Sequence, residues 1–153
     1  MLIVYSFILF IWPTPVHSIS NGDPDGALWK LSYESALSEA RAEDKLVMLY
    51  FAGSDWCKPC ILLKREVFDT PTFQDFAKEN LVLVKLDFPR LKKNRISKEQ
   101  VAHNETLADR FNHEGAFPLV VFLDANEHVL AKSGYQPGGP KSYIRYVKGL
   151  MAK

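Results

Sequence analysis

Three stretches of the chain are apolar at almost every consecutive position: Lys45–Phe51 (KLVMLYF), Leu81–Leu86 (LVLVKL) and Leu119–Leu123 (LVVFL). Each has the length of a strand. A strand with one face in water alternates apolar and polar residues, because successive side chains point to opposite faces. These runs do not alternate, so they belong in the middle of a sheet covered by helices on both faces. The segments around them supply such helices. Ser32 caps a predicted helix whose apolar side is Tyr33, Ala36, Leu37 and Ala40. Cys57–Phe68 forms a second, and Thr70 with Pro71 at the first position opens a third. Lys98–Asn112 forms a fourth, with Ser97 and Gln100 as a capping box and Val101, Leu107, Ala108 and Phe111 as its stripe. Asp124-Ala125-Asn126-Glu127 reads as a turn and His128–Lys132 as a weaker strand. Gly138-Gly139-Pro140 then starts a closing helix with Ile144, Val147 and Met151 on one face. The order α-β-α-β-α-β-β-α predicts a three-layer α/β domain. Strand-helix-strand units call for right-handed crossovers and a mostly parallel central sheet, closed by one C-terminal antiparallel hairpin.

A chain of 153 residues can bury roughly two-thirds of its unfolded surface, so this fold needs no disulfide framework or metal staple. Its net charge of +1 excludes the basic excess of a nucleic-acid binder. No run reaches the roughly 18–20 apolar residues of a membrane span. Residues 1–22 contain no Asp, Glu, Lys or Arg, and Leu2–Trp12 is almost wholly apolar before Pro13 and Pro15. Val16-His17-Ser18 offers a small-x-small cleavage signature, as does Ser18-Ile19-Ser20. Residues 1–18 are therefore expected to be a signal peptide cut after Ser18 or Ser20, residues 19–27 a short linker, and 28–153 the domain. The leader lacks a basic n-region, which leaves an N-terminal strand or interfacial anchor as the alternative. Met151-Ala152-Lys153 gives no retention signal, so the expected destination is the periplasm or the exterior. A monomer without a membrane span after cleavage is expected.

The two cysteines form Cys57-Lys58-Pro59-Cys60, just after the first core strand and at the start of a helix. A disulfide closing so short a ring restricts the unfolded chain by only about 2 kcal/mol, against about 4.7 kcal/mol for a 100-residue loop. That favours chemistry over stapling. A thiol at a helix N-terminus meets unpaired N–H groups and the positive end of the dipole, which favour thiolate, and Lys58 adds a cation. Pro59 fits the first turn, where its missing N–H does no harm. Cys57 is thus the expected exposed attacking thiolate and Cys60, one turn in, the resolving thiol. The alternatives are an inert closed loop or a metal site. Structural zinc needs four ligands, and His103, His113 and His128, the histidines beyond the leader, form no i,i+4 pair. No metal and no cofactor is expected.

Trp56-Cys57-Lys58-Pro59-Cys60 after an apolar strand, with Phe117-Pro118 opening the third strand, resembles the thioredoxin superfamily over Leu28–Leu150. Phe51–Cys57, Asp87-Phe88-Pro89-Arg90 and Gly134–Gly139 look like exported bacterial thioredoxin-like proteins, similar to the periplasmic domain of the transmembrane disulfide reductase. The resemblance implies a thioredoxin-like fold and a Cys57–Cys60 redox disulfide. It makes Cys57 the nucleophile, Cys60 the resolving thiol and Trp56 part of a flat apolar docking surface, with Lys58 and Pro59 as active-site support. It also implies a cis-proline at Pro118, with the backbone of Phe117 pairing with the substrate chain. The sequence departs from the family in one place: the first core strand lacks the usual buried acid, and Tyr50 stands about where it would be, with an extra residue (Gly53 or Ser54) before Trp56. Asp55 and Lys85 are the candidates for proton handling, each with a plainer reading as a solvated acid and a snorkelling lysine.

Weaker features remain. Arg90, Lys92, Lys93, Arg95 and Lys98 crowd one loop with no acid before Glu99, either a docking patch for an acidic partner or a solvated loop. Asn104-Glu105-Thr106 is a glycosylation sequon, and His103 and His113 read as surface residues. Together the residues and the resemblance predict an exported thiol–disulfide oxidoreductase that reduces or exchanges protein disulfides and is turned over by a redox partner protein. The alternative is a thioredoxin-fold binding module that holds a partner protein or a soft metal such as Cu(I) without turnover.

Overall fold

The structure is a computed structural model that describes residues 28–152. The leader and linker expected at 1–27 lie outside the described residues. Alternation along each strand builds the layers. In β2 (Leu46–Ala52), Val47, Leu49 and Phe51 enter one core cluster while Met48, Tyr50 and Ala52 enter the other. β3 (Leu81–Asp87) and β4 (Leu119–Leu123) divide the same way, with Val84 and Val121 on the first face and Leu83 and Phe122 on the second. The first face is covered by α1 (Tyr33–Glu43) and α4 (Lys98–Phe111), through residues such as Leu37, Ala40, Leu107 and Phe111. The second is covered by α2 (Lys58–Leu63), α3 (Pro71–Asn80) and α5 (Gly139–Met151), through Leu63, Phe73, Tyr143 and Val147. Continuous apolar runs are thus what a strand needs when both of its faces are buried.

Two short strands complete the sheet, β1 (Trp29–Lys30) and β5 (Val129–Ser133), in the order β1-β3-β2-β4-β5. β1 and β2 both pair with β3 in parallel, whereas β4 runs antiparallel to β2 and to β5. The three-layer fold is as expected, but the sheet is mixed: the third apolar run lies reversed beside the first instead of forming another parallel crossover. The connection explains this. Ala52 pairs with Asp87 at the end of β3, and β4 re-enters the sheet with Leu119 opposite Phe51, at that same end. The loop and α4 between them make a return trip, so the chain must come back down.

The predicted caps are present. The side chains of Ser32, Thr70 and Ser97 accept the N–H groups of Ser35, Phe73 and Gln100 at 3.2, 3.3 and 3.1 Å. The reciprocal half of the capping box is not used, because the Gln100 amide donates to the Leu31 carbonyl and to Asn104 Oδ1. Leu107, Phe111 and Val147 are buried as expected, but Val101 and Met151, expected on the same apolar stripes, are exposed, and Asn104 and Tyr143 are buried as well. Asn104 Nδ2 donates to the Asp87 carbonyl at 2.9 Å, and the residue is buried, so the sequon's amide is off the surface of the folded chain. His103, expected on the surface, is half-buried and accepts the Tyr33 N–H at 3.2 Å.

After Leu63 the helix widens into a π turn, Lys64–Phe68. The turn buries the neighbours Val67 and Phe68 together, which regular helical spacing would not favour. Phe68 then sits 5.0 Å from both Tyr50 and Phe73, and 5.5 and 5.6 Å from Trp29 and Tyr143 (centroid to centroid). This ring cluster shares its core with both cysteines. No helix among the described residues is long and apolar enough to cross a membrane.

Candidate active site

The site begins where β2 leaves the sheet. The Gly53 carbonyl accepts the N–H of Trp56 at 3.3 Å and of Cys57 at 2.9 Å, closing a tight turn that delivers Cys57 to the head of α2. Cys57 keeps extended backbone angles (φ −89°, ψ 95°) and acts as the helix N-cap, its Sγ accepting the Cys60 N–H at 3.3 Å. Pro59 lies in the first turn, and Lys58 and Pro59 are both exposed. Cys57 and Cys60 are joined in a disulfide. Cys57, expected to be exposed, is buried in this oxidised form: it retains 4% of its surface and Cys60 1%.

Beside the disulfide stands an aromatic ledge. The Trp56 ring meets that of Phe117 edge-on at 5.3 Å, and Phe117 meets Phe88 at 5.4 Å. The Trp56 indole N–H donates to the Phe88 carbonyl at 2.7 Å, and the Arg90 guanidinium lies 3.8 Å over the indole ring. Gly53 makes room for this arrangement: a Cβ there would fall 2.5 Å from Trp56 Nε1 and 2.6 Å from Cζ2. The Phe117–Pro118 bond is cis and Pro118 is buried.

The loop after β3 is fastened to this turn. The Asp87 carboxylate accepts the Ser54 N–H at 3.0 Å and the Ser54 hydroxyl at 2.6 Å. Asp55 accepts the N–H groups of Arg90 and Leu91 at 3.0 and 2.9 Å and the Asn94 amide at 2.9 Å. Those bonds, the one from Arg90 foremost, hold the Asp55 carboxyl below the usual carboxylate range. The acid that the sequence offers for proton transfer is thus engaged in bracing a loop, in a setting that favours its charged form. The sequence reading missed Asp87 and Ser54 as a pair; the extra residue before Trp56 was their signal, since an inserted backbone N–H needs an acceptor.

By the resemblance, Tyr50 stands about where the absent acid would be. Its hydroxyl donates to the Cys60 carbonyl at 2.8 Å, and burial, with Asp87 nearby, pushes the phenol well above its ordinary range. A phenol so placed stays protonated and holds backbone rather than accepting a proton. Beside it lies a cavity of about 100 Å³, lined by Tyr50, Ser54, Cys60 and the half-buried Lys85 among others. Of the two sequence candidates for proton handling, Lys85 is therefore the one that shares a cavity with Cys60.

Residues 28–125 match the family model described as thioredoxin-like. The chain is 37% identical over 120 residues to the disulfide bond reductase DsbH of Chlamydia pneumoniae, covering 78% of this chain and 70% of that protein. It is 26% identical to the thioredoxin-related protein DsbJ of the same organism, of which it covers 33%. A solved structure of a DsbH oxidoreductase superposes with a TM-score of 0.74 at 31% identity, over 90% of this chain and 95% of that one. The solution structure of a Thermus thermophilus thioredoxin, at 17% identity, shares the fold with a TM-score of 0.60, over 80% of this chain and 85% of that one. The family model over residues 28–125 and the 37% identity to DsbH place this chain, with its Cys57–Cys60 turn at the head of α2, in the thioredoxin-like family.

Proposed function

We propose that this thiol–disulfide oxidoreductase works outside the cytoplasm, reducing or exchanging the disulfides of exported proteins. The observation that carries the reading is Cys57 itself: it caps a helix, and its sulfur already faces the Cys60 N–H. In the reduced protein those donors and the helix dipole favour Cys57 thiolate. The thiolate attacks one sulfur of a substrate disulfide; a Cys57–substrate disulfide forms and the other substrate sulfur leaves as thiolate. Cys60, deprotonated, then attacks Cys57 Sγ, the mixed disulfide breaks, and the second substrate thiolate departs. Two electrons pass from the dithiol to the substrate, and a partner protein must return them for another cycle. Export is supported by the first 22 residues, which carry no Asp, Glu, Lys or Arg and offer small-x-small signatures ending at Ser18 and Ser20.

Equilibration with glutathione tests the redox reading. The pair is expected at about −200 to −300 mV, and a potential far below about −300 mV would mark an inert structural bond instead.

Lys85, on the cavity beside Cys60, is the residue that this reading assigns to the resolving thiol's proton. Lys85→Met is expected to leave formation of the mixed disulfide at its normal rate and to slow its resolution severalfold, with an altered pH profile. Stopped-flow measurement of the two steps separates them; equal resolution rates at every pH would return Lys85 to a merely snorkelling role.

A further inference from the structure

The loop after β3 carries Arg90, Lys92, Lys93 and Arg95, all exposed, and Lys98 follows at the start of α4. No Asp or Glu lies between Asp87 and Glu99. A charge run of this kind is ordinarily a solvated loop, but three observations set this one apart. Arg90 is not free in solvent: its guanidinium rests 3.8 Å over Trp56, the residue before Cys57, so positive charge is part of the ledge beside the disulfide. The loop is held in place, with Asp55 gripping the N–H groups of Arg90 and Leu91 and the side chain of Asn94. The loop also lines a groove of about 440 Å³, to which Phe88, Pro89, Ile96 and Val101 contribute apolar surface and Arg95 and Lys98 contribute charge.

Three carboxylates share this region: Asp55 beneath the loop, held charged by the Arg90 and Leu91 N–H groups, and Asp87 and Glu105 on the groove, Asp87 bonded to Ser54. Arg90, Lys92, Lys93, Arg95 and Lys98 outnumber them five to three. Lys58, exposed between the two cysteines, adds a further cation.

We propose that this fixed cationic rim selects substrates whose disulfide is flanked by acidic residues, the acidic flank crossing the loop towards the groove. The proposal rests on the oxidoreductase reading and specifies its substrate class. Rigid, closely spaced cations beside a reacting atom raise the encounter rate of an anionic partner, and salt screens the effect beyond about 10 Å.

The test uses the full chain, reduced with dithiothreitol and desalted, in single-turnover reaction with two peptides. Both contain the same disulfide loop, one flanked by glutamates and one by lysines. At low salt the glutamate peptide is expected to react about tenfold faster, an advantage that shrinks towards unity at about 0.5 M salt, where charges are screened beyond a few ångströms. In the variant K92Q/K93Q/R95Q the ratio of the two rate constants is expected to fall severalfold at low salt. The ratio is taken within each protein, so a general change in reactivity cancels. Equal rates for the two peptides, or a ratio untouched by salt and by the variant, would overturn the selectivity and leave the oxidoreductase reading standing. Reaction with neither peptide would overturn both.

Discussion

Replacing Cys60 with alanine is expected to turn the protein into a trap. Cys57 still attacks, but no thiol remains to break the mixed disulfide, so a covalent adduct with the substrate accumulates while turnover falls on the order of a thousandfold or more. Cys57→Ala is expected to lose turnover just as fully and to trap nothing. The asymmetry comes from position: Cys57 is the N-cap of α2, with its sulfur towards the Cys60 N–H, whereas Cys60 lies in the first turn beneath a Tyr50 hydroxyl bonded to its carbonyl. Non-reducing electrophoresis with mass spectrometry reads both outcomes, and alkylation of the reduced protein near neutral pH should label Cys57 before Cys60. The reverse pattern of adducts would exchange the two roles.

Gly53→Ala is the second large effect. Gly53 does not have a positive φ, so its requirement is steric: an added methyl would overlap the Trp56 indole. Trp56 cannot simply rotate, because Phe88, Phe117 and Arg90 hold it on three sides. Overpacking of this kind costs about 1–3 kcal/mol. The Gly53 carbonyl also anchors the Cys57 N–H, so displacement of the turn should lower the exchange rate about tenfold as well. Thermal melting, tryptophan emission and the single-turnover rate are the three readouts. Gly149→Ala is the matched control: in α5 an added Cβ meets nothing within 4 Å, so the same chemical change should stabilise the protein by about 0.5–1 kcal/mol. If both variants melted alike, the close approach to Trp56 would not govern the fold of this turn.

Features fixed by local chemistry were legible in the sequence. The apolar runs gave β2, β3 and β4, with bounds shifted by a residue at some ends, and the caps at Ser32, Thr70 and Ser97 fell where hydroxyls precede apolar stripes. The position of the cysteine pair at the head of a helix followed from Pro59 and the preceding strand. What stayed hidden depends on distant partners. β1 has two residues, too few to show a period, and exists because Trp29 packs against Tyr50 and Phe68 while pairing with Leu83. The reversed sense of β4 is set by where the chain returns after α4, not by the strand's own residues. Asp55 looked like a free acid because the loop that engages it lies some 35 positions further along the chain. On the closing helix Ile144 and Val147 pack on the core as read, but Tyr143, beside them, was missed.

The fastening of the β3 loop to the turn after β2 separates two properties that selection would otherwise have to alter together. The sulfur geometry is set from within, by Gly53, Ser54 and Asp87, while the charges of Lys92, Lys93 and Arg95 point outward on a loop whose backbone is held by Asp55. A lineage could therefore invert its clientele by changing surface codons alone, and an engineer could do likewise, with the electron-transfer chemistry left as inherited.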